Sequence, residues 1–313
     1  MKFASPIPRC GCHGVVINAK KKAPVTRNPL RIDPTRTTTV RRQFMSNLRR
    51  RFQLLRKEIF NFVATLDALA LDDRPAFVLM AQPREFQFLT QADKLKAFNE
   101  WLKQQMDAGI LSPSLGGRVD QPWTAPYIES AYRRGILNAF LSTRQLEFGM
   151  EDANGENIGD QTIDEFMQSG FGAGETTSKI QLLATRSFEQ LKGVTAAMSA
   201  DMNRVMAQAI ADGLGARDTA NNLMASLDSL TRGRAMTIAR TEIIHAHAEG
   251  QLDSFARLGV EQLGLKAEWA TAGDDHVCPL CQERAGTIYT IATARGVIPL
   301  HPNCRCTWIP FIP

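Results

Sequence analysis

The chain has 313 residues, enough for two average domains and a substantial core, with 44% apolar and 22% charged residues. It has no run of 18 apolar residues to cross a membrane, and its first twenty residues lack the apolar stretch of a secretory signal. The net charge of +5 joins two unlike parts: residues 1–60 carry +13 and the remainder −8, a basic arm on an acidic body, as expected when one end meets a polyanion.

Residues 1–39 hold five prolines, the Lys20-Lys21-Lys22 triplet and a run of threonines. Such a stretch buries too little apolar surface to offset its ordering entropy, which predicts an extended basic arm. The arm also contains Cys10, Cys12 and His13, three donors with no second pair nearby.

From Val40 apolar residues recur at Phe44, Leu48, Phe52, Leu55, Ile59, Val63 and Leu66. The step of about 3.7 residues is the α-helical period. Arg41, Arg42, Arg49, Arg50, Arg56 and Lys57 fall off this stripe. They form either a solvated face or, with the lysine triplet, a phosphate-contacting one. The stripe itself has three candidate partners: the body of the chain, a second copy in a homo-oligomer, or another protein.

Further helices are predicted after the N-cap residue Thr90 and over residues 127–148, with residues 149–174 as a polar, glycine-punctuated linker. A long helix over 176–214, interrupted only at Gly193, a short one over 217–227 and another over 231–258 follow. Short strands are predicted at 265–270, 287–290 and 306–311, with Pro310 confining the last to a sheet edge. The fold class is therefore mainly α: an arm (1–39), a helical N-terminal region (40–174), and a C-terminal domain (175–313) of helices and a small α+β lobe over 265–313.

The lobe carries the sharpest chemical signal. Cys278 and Cys281 have the C-x-x-C spacing of a knuckle, and His301, Cys304 and Cys306 follow after a gap of nineteen to twenty-four residues. Two such pairs can deliver four soft donors to one tetrahedral ion, and a filled set makes a structural zinc site rather than a catalytic one. Cys278, Cys281, His301 and Cys304 are the preferred four, with Cys306 able to replace either second-half member. A reduced cysteine cluster or a disulfide is the plainer reading. A short lobe rich in turns gains from a metal the stability that its small core lacks.

Other constellations are weaker. His245 and Glu249 share a helix face but do not make an H-E-x-x-H motif. Arg240 and Glu242 are candidates to brace the tail against the helical body. Asp274 and Asp275 most simply form a turn.

Taken together, Ala239-Arg240-Thr241-Glu242, Glu268-Trp269, Asp275 to Cys281, Gly286-Thr287 and Pro299 to Cys306 resemble the phage Mu F-like minor head (head morphogenesis) proteins of tailed bacteriophages, over about residues 215–313. The resemblance implies a non-enzymatic component of the virion interior, made in the host cytoplasm and placed in the capsid near the portal. It would act in head assembly and in DNA packaging or delivery, with the portal protein, the major capsid protein and non-specifically bound phage double-stranded DNA as partners. The family's Cys/His motif carries over to Cys278, Cys281, His301, Cys304 and Cys306. The fused toxin domain of some relatives is not expected, since no further domain follows Cys306. The alternative function is a metal-dependent, treble-clef-like nuclease acting on DNA, suggested by His301 and Asn303.

Overall fold

The computed structural model describes residues 33–72, 90–112, 122–144, 161–171, 174–258, 264 and 266–311. Residues 1–32 of the arm, including Lys20, Lys21, Lys22, Cys10, Cys12 and His13, lie outside these residues; its last part is not extended, because Asp33 to Arg36 form a turn, Thr35 and Thr37 are buried and the first helix begins at Thr38.

The Val40 stripe forms helix α1 (Thr38–Phe60), continued by one π-type turn over Asn61–Thr65. Val40, Phe44, Leu48, Phe52, Leu55, Ile59 and Val63 are all buried within the chain's own core. Of the three candidate partners it is thus the body that covers the stripe. Leu66 is the exception: the helix has ended there and the side chain is 46% exposed.

Helix α2 (Gln91–Met106) starts at Thr90 with a full capping box to Asp93, so two of its orphan amides are bonded. A π-type turn, Asp107–Leu111, extends it. Arg51 of α1 closes that end by donating to the carbonyls of Gly109 (2.8 Å) and Ser112 (3.2 Å), with its guanidinium 4.4 Å from the Trp123 ring centroid. A cation at a helix C-terminus satisfies both the orphan carbonyls and the dipole.

Helix α3 (Ala125–Arg144) is followed by α4 (Ile163–Phe171), inside the stretch expected to be linker. The cause is a second capping box: the Thr162 hydroxyl accepts from the Glu165 amide and the Glu165 carboxylate accepts from the Thr162 amide. Phe166 then stacks on Phe140 at 4.2 Å, fixing α4 to α3.

Helix α5 (Gly174–Ala211) runs straight through Gly193, where a side chain would meet only open space. Tertiary packing, with Met198, Met202 and Met206 buried at four-residue steps, outweighs the single weak residue. Helix α6 (Ala216–Leu230) passes through a π-type turn (Thr231–Ala235) into α7 (Met236–Arg257).

The centre of the body is the crossing of α3 and α7. A methyl at Gly135 would overlap the His247 carbonyl, and one at Gly250 would overlap the Tyr132 carbonyl. Two glycines on facing helices thus let the backbones touch. A single apolar core runs from Val40 to Trp308 and includes residues from both sides of position 174. No helix of the described residues is long and apolar enough to cross a membrane.

The lobe holds strands β1 (Lys266–Ala270), β2 (Ile288–Tyr289) and β3 (Thr307–Phe311), antiparallel in the order β2-β1-β3, with short helices α8 (Pro279–Arg284) and α9 (Ile291–Ala294) between them. Pro310 lies on an edge strand as expected, opposite Ala267. Trp269, Trp308 and Tyr289 pack together with centroids 5.3–6.5 Å apart. On the free side of β3, buried Gln251 of α7 donates to the Trp308 carbonyl (2.8 Å) and accepts from the Trp308 amide (3.1 Å) and the Thr307 hydroxyl (2.8 Å). A side-chain amide here does what another strand would do.

Candidate metal centre

Cys278 caps α8, whose first residue is Pro279, and its sulfur accepts from the Cys281 amide at 3.4 Å. This is how C-x-x-C turns both sulfurs the same way. In the second half the Cys304 amide donates to the His301 carbonyl (3.1 Å), closing a turn whose corner, Asn303, has φ of +65°. Asparagine tolerates that left-handed backbone better than most residues do.

The two turns face each other. His301 Nε2 lies 3.0 Å from both Cys278 Sγ and Cys281 Sγ, and Cys281 Sγ lies 3.8 Å from Cys304 Sγ. The donor atoms of Cys278, Cys281 and His301 lie within 4.8 Å of one another, as do those of Cys281, Cys304 and Cys306. An ion with Zn–S bonds of about 2.3 Å separates its sulfurs by about 3.8 Å along a tetrahedral edge. All five expected donors therefore gather around Cys281, which belongs to both groups, and they could hold a metal ion. The residues are free thiols, with no disulfide among them.

The surroundings suit this role. His301 Nδ1 is 2.8 Å from the Pro302 carbonyl. That carbonyl can only accept, so the proton sits on Nδ1 and Nε2 is left as a bare donor toward the sulfurs. Hydrogen bonds from Cys306 pull the Cys304 thiol down to about 5, while burial pushes the Cys281 thiol up to about 12, and the hydrogen bond to Cys304, with burial, pushes the Cys306 thiol up as well.

Three contacts brace the site. Arg305 makes a two-pronged bond to Asp274, tying the second turn to the approach of the first and holding the Asp274 carboxyl down to about 2. Asp274 and Asp275 do form the expected turn, with the His276 amide on the Asp274 carboxylate at 3.0 Å. Arg240 donates to Asn303 Oδ1 (3.3 Å), and Asn303 donates to the hydroxyls of Thr241 and Thr237 (3.4 Å each). Arg240 therefore braces the tail as expected. Glu242 does not: it is buried under α5, with its nearest cation, Arg186, at 3.9 Å.

The same contacts bear on the other candidates. Asn303 is held by α7 and His301 by the thiols, so the pair proposed for a nuclease is already engaged. Glu249 is taken by Arg295 and the Gly296 amide and stands 3.9 Å from His245 Nε2, whose ring faces the Arg186 cation at 3.0 Å, a poor setting for a second metal ion. Of the basic residues on α1, Arg42, Arg49, Arg50, Arg56 and Lys57 are exposed, and Arg56 has Asp228 at 3.6 Å. Arg41 departs from the expected outward face: it is mostly buried, bonded to Asp33 and Thr38, because it lies in the first turn, where the chain folds back.

Neither the curated proteins nor the solved structures give a match. Residues 200–309, from the last turns of α5 to β3, match the family model described as phage Mu protein F like protein, a span beginning fifteen residues before the expected one; this part of the chain is similar to that family.

Proposed function

We propose that the protein is a structural minor head component of a tailed bacteriophage, sited inside the capsid near the portal and acting in head assembly and DNA packaging or delivery. Its Cys/His lobe takes up one structural zinc ion, and no catalytic step is assigned to it. The observation that carries this reading is the convergence of Cys278, Cys281, His301, Cys304 and Cys306 within the family-matched segment. A donor set filled by protein leaves no coordination position for substrate. The engagement of Asn303 by α7 speaks against the nuclease.

The exposed arginines of α1, with the lysines of the arm, make the non-specific DNA contact. Neutralising phosphates releases counterions, so affinity falls steeply with salt and is blind to sequence.

The test is expression with the portal and major capsid proteins of the same phage. Co-purification with portal, or with heads, supports the reading. A protein that stays free of particles while nicking plasmid in Mg²⁺ or Mn²⁺, with nicking lost in His301→Ala, overturns it.

A further inference from the structure

Between α5, α7 and the turn after α9 lies a cleft of about 580 Å³. Its size falls within the range of small-molecule sites, roughly 300–1,000 Å³. Its floor is set by α7: His245, Glu249 and Asp253 follow at four-residue steps and so share one face. The facing wall is α5, where Leu182 and Leu183 present hydrocarbon between Lys179 and Arg186. Leu182 is 69% exposed, more than any other large apolar side chain among the described residues.

The charges of the cleft are unevenly satisfied. Asp253 is bonded to Lys179 (2.9 Å), to Arg295 (2.6 Å) and to the Tyr132 hydroxyl. Glu249 takes Arg295 (3.1 Å) and the Gly296 amide (2.8 Å). Both carboxylates are therefore saturated, and they account for Lys179 and Arg295. Arg186 is different. Its Nη1 rests 3.0 and 3.3 Å from the ring nitrogens of His245, and its closest carboxylate, Glu242, stands at 3.9 Å, outside hydrogen-bond range. Burial keeps His245 neutral, so the ring cannot compete for an anion.

One half-exposed guanidinium beside an apolar wall fits one singly charged group attached to hydrocarbon. A doubly charged phosphate would place its second charge near Glu249 and Asp253, whose carboxylates already engage Lys179 and Arg295. We propose that this cleft binds a small amphipathic organic acid, its carboxylate on Arg186 and its hydrocarbon body along Leu182 and Leu183. Guanidinium and carboxylate match in a planar, two-pronged geometry.

Isothermal titration of the full metal-loaded chain with dodecanoate, kept below its micelle concentration, tests this. One saturable site per chain is expected. Arg186→Met should weaken binding at least tenfold, and Leu182→Asp, at an exposed position that leaves the fold intact, should do the same. Dodecyltrimethylammonium, with the same tail and the opposite charge, should bind at least tenfold more weakly than dodecanoate. The proposal is overturned if no saturable site exists, if the cationic surfactant binds as well, or if folded Arg186→Met or Leu182→Asp binds dodecanoate like the wild type.

Discussion

The hydroxyl of Tyr132 on α3 donates to Asp253 on α7, across the crossing of the two helices and 121 residues apart in the chain. The same carboxylate takes Lys179 from α5 and Arg295 from beyond α9, so one side chain joins four segments. Asp253→Ala should destabilise the protein by roughly 3 kcal/mol, since it strands three donors, whereas Tyr132→Phe should cost about 1 kcal/mol. Urea unfolding followed by far-ultraviolet circular dichroism measures both; equal losses would show that Asp253 is not the shared partner.

Gly135→Ala and Gly250→Ala each place a methyl inside a backbone carbonyl of the facing helix. Backbone cannot yield as a flexible side chain does, so each should cost about 3 kcal/mol or more. Gly193→Ala, in open space on α5, should instead stabilise by roughly 0.5–1 kcal/mol. The three melting temperatures, compared with wild type, decide the matter.

Removal of metal should loosen the lobe before the helical body. Cys281 lies in both donor groups, so Cys281→Ser should lower the bound metal from one per chain toward none. Cys306→Ser, at the donor expected to be spare, should retain it. Elemental analysis gives the stoichiometry, and the near-ultraviolet dichroism of the packed Trp269 and Trp308 reports the lobe.

His247 is wholly buried, and neither ring nitrogen has a partner among the described residues. Burial, helped by Arg134 and Arg41 and opposed by Asp33, lowers its pKa from 6.5 to about 4. The unfolded imidazole therefore takes up a proton near pH 6.5, while the folded one stays neutral until about pH 4. Its contribution is intact above pH 6.5 and is lost as the pH falls through that window. His245, lowered to about 4 by burial and by Arg186, acts in the same direction. His247→Leu should flatten part of the fall in melting temperature between pH 7 and pH 5, and an unchanged slope would rule His247 out as its source.

Much of this architecture was legible from local pattern. The α1 stripe announced itself because eight apolar residues kept the helical period, and Thr90 because its capping partner stands three residues on. The knuckles were readable because metal ligation fixes short spacings. Helix α4 had a signal of the same kind, Thr162 and Glu165 three apart, masked by the glycines around it. What could not be read were relationships between distant segments. Gly135 and Gly250 are ordinary glycines until their helices cross. Asp253 carries no motif, and its partners lie 42 to 121 residues away. Arg41 looked like its basic neighbours, and only the return of the chain at Asp33 turns it inward.

The hold of Gln251 on β3 has a consequence for assembly. The amide and carbonyl of Trp308 on that flank are already spoken for, so this margin of the sheet is closed to recruitment of a foreign strand. Copies of the protein are thereby kept from zipping together along β3, and any partner that recognises the lobe there must read side chains instead of main chain.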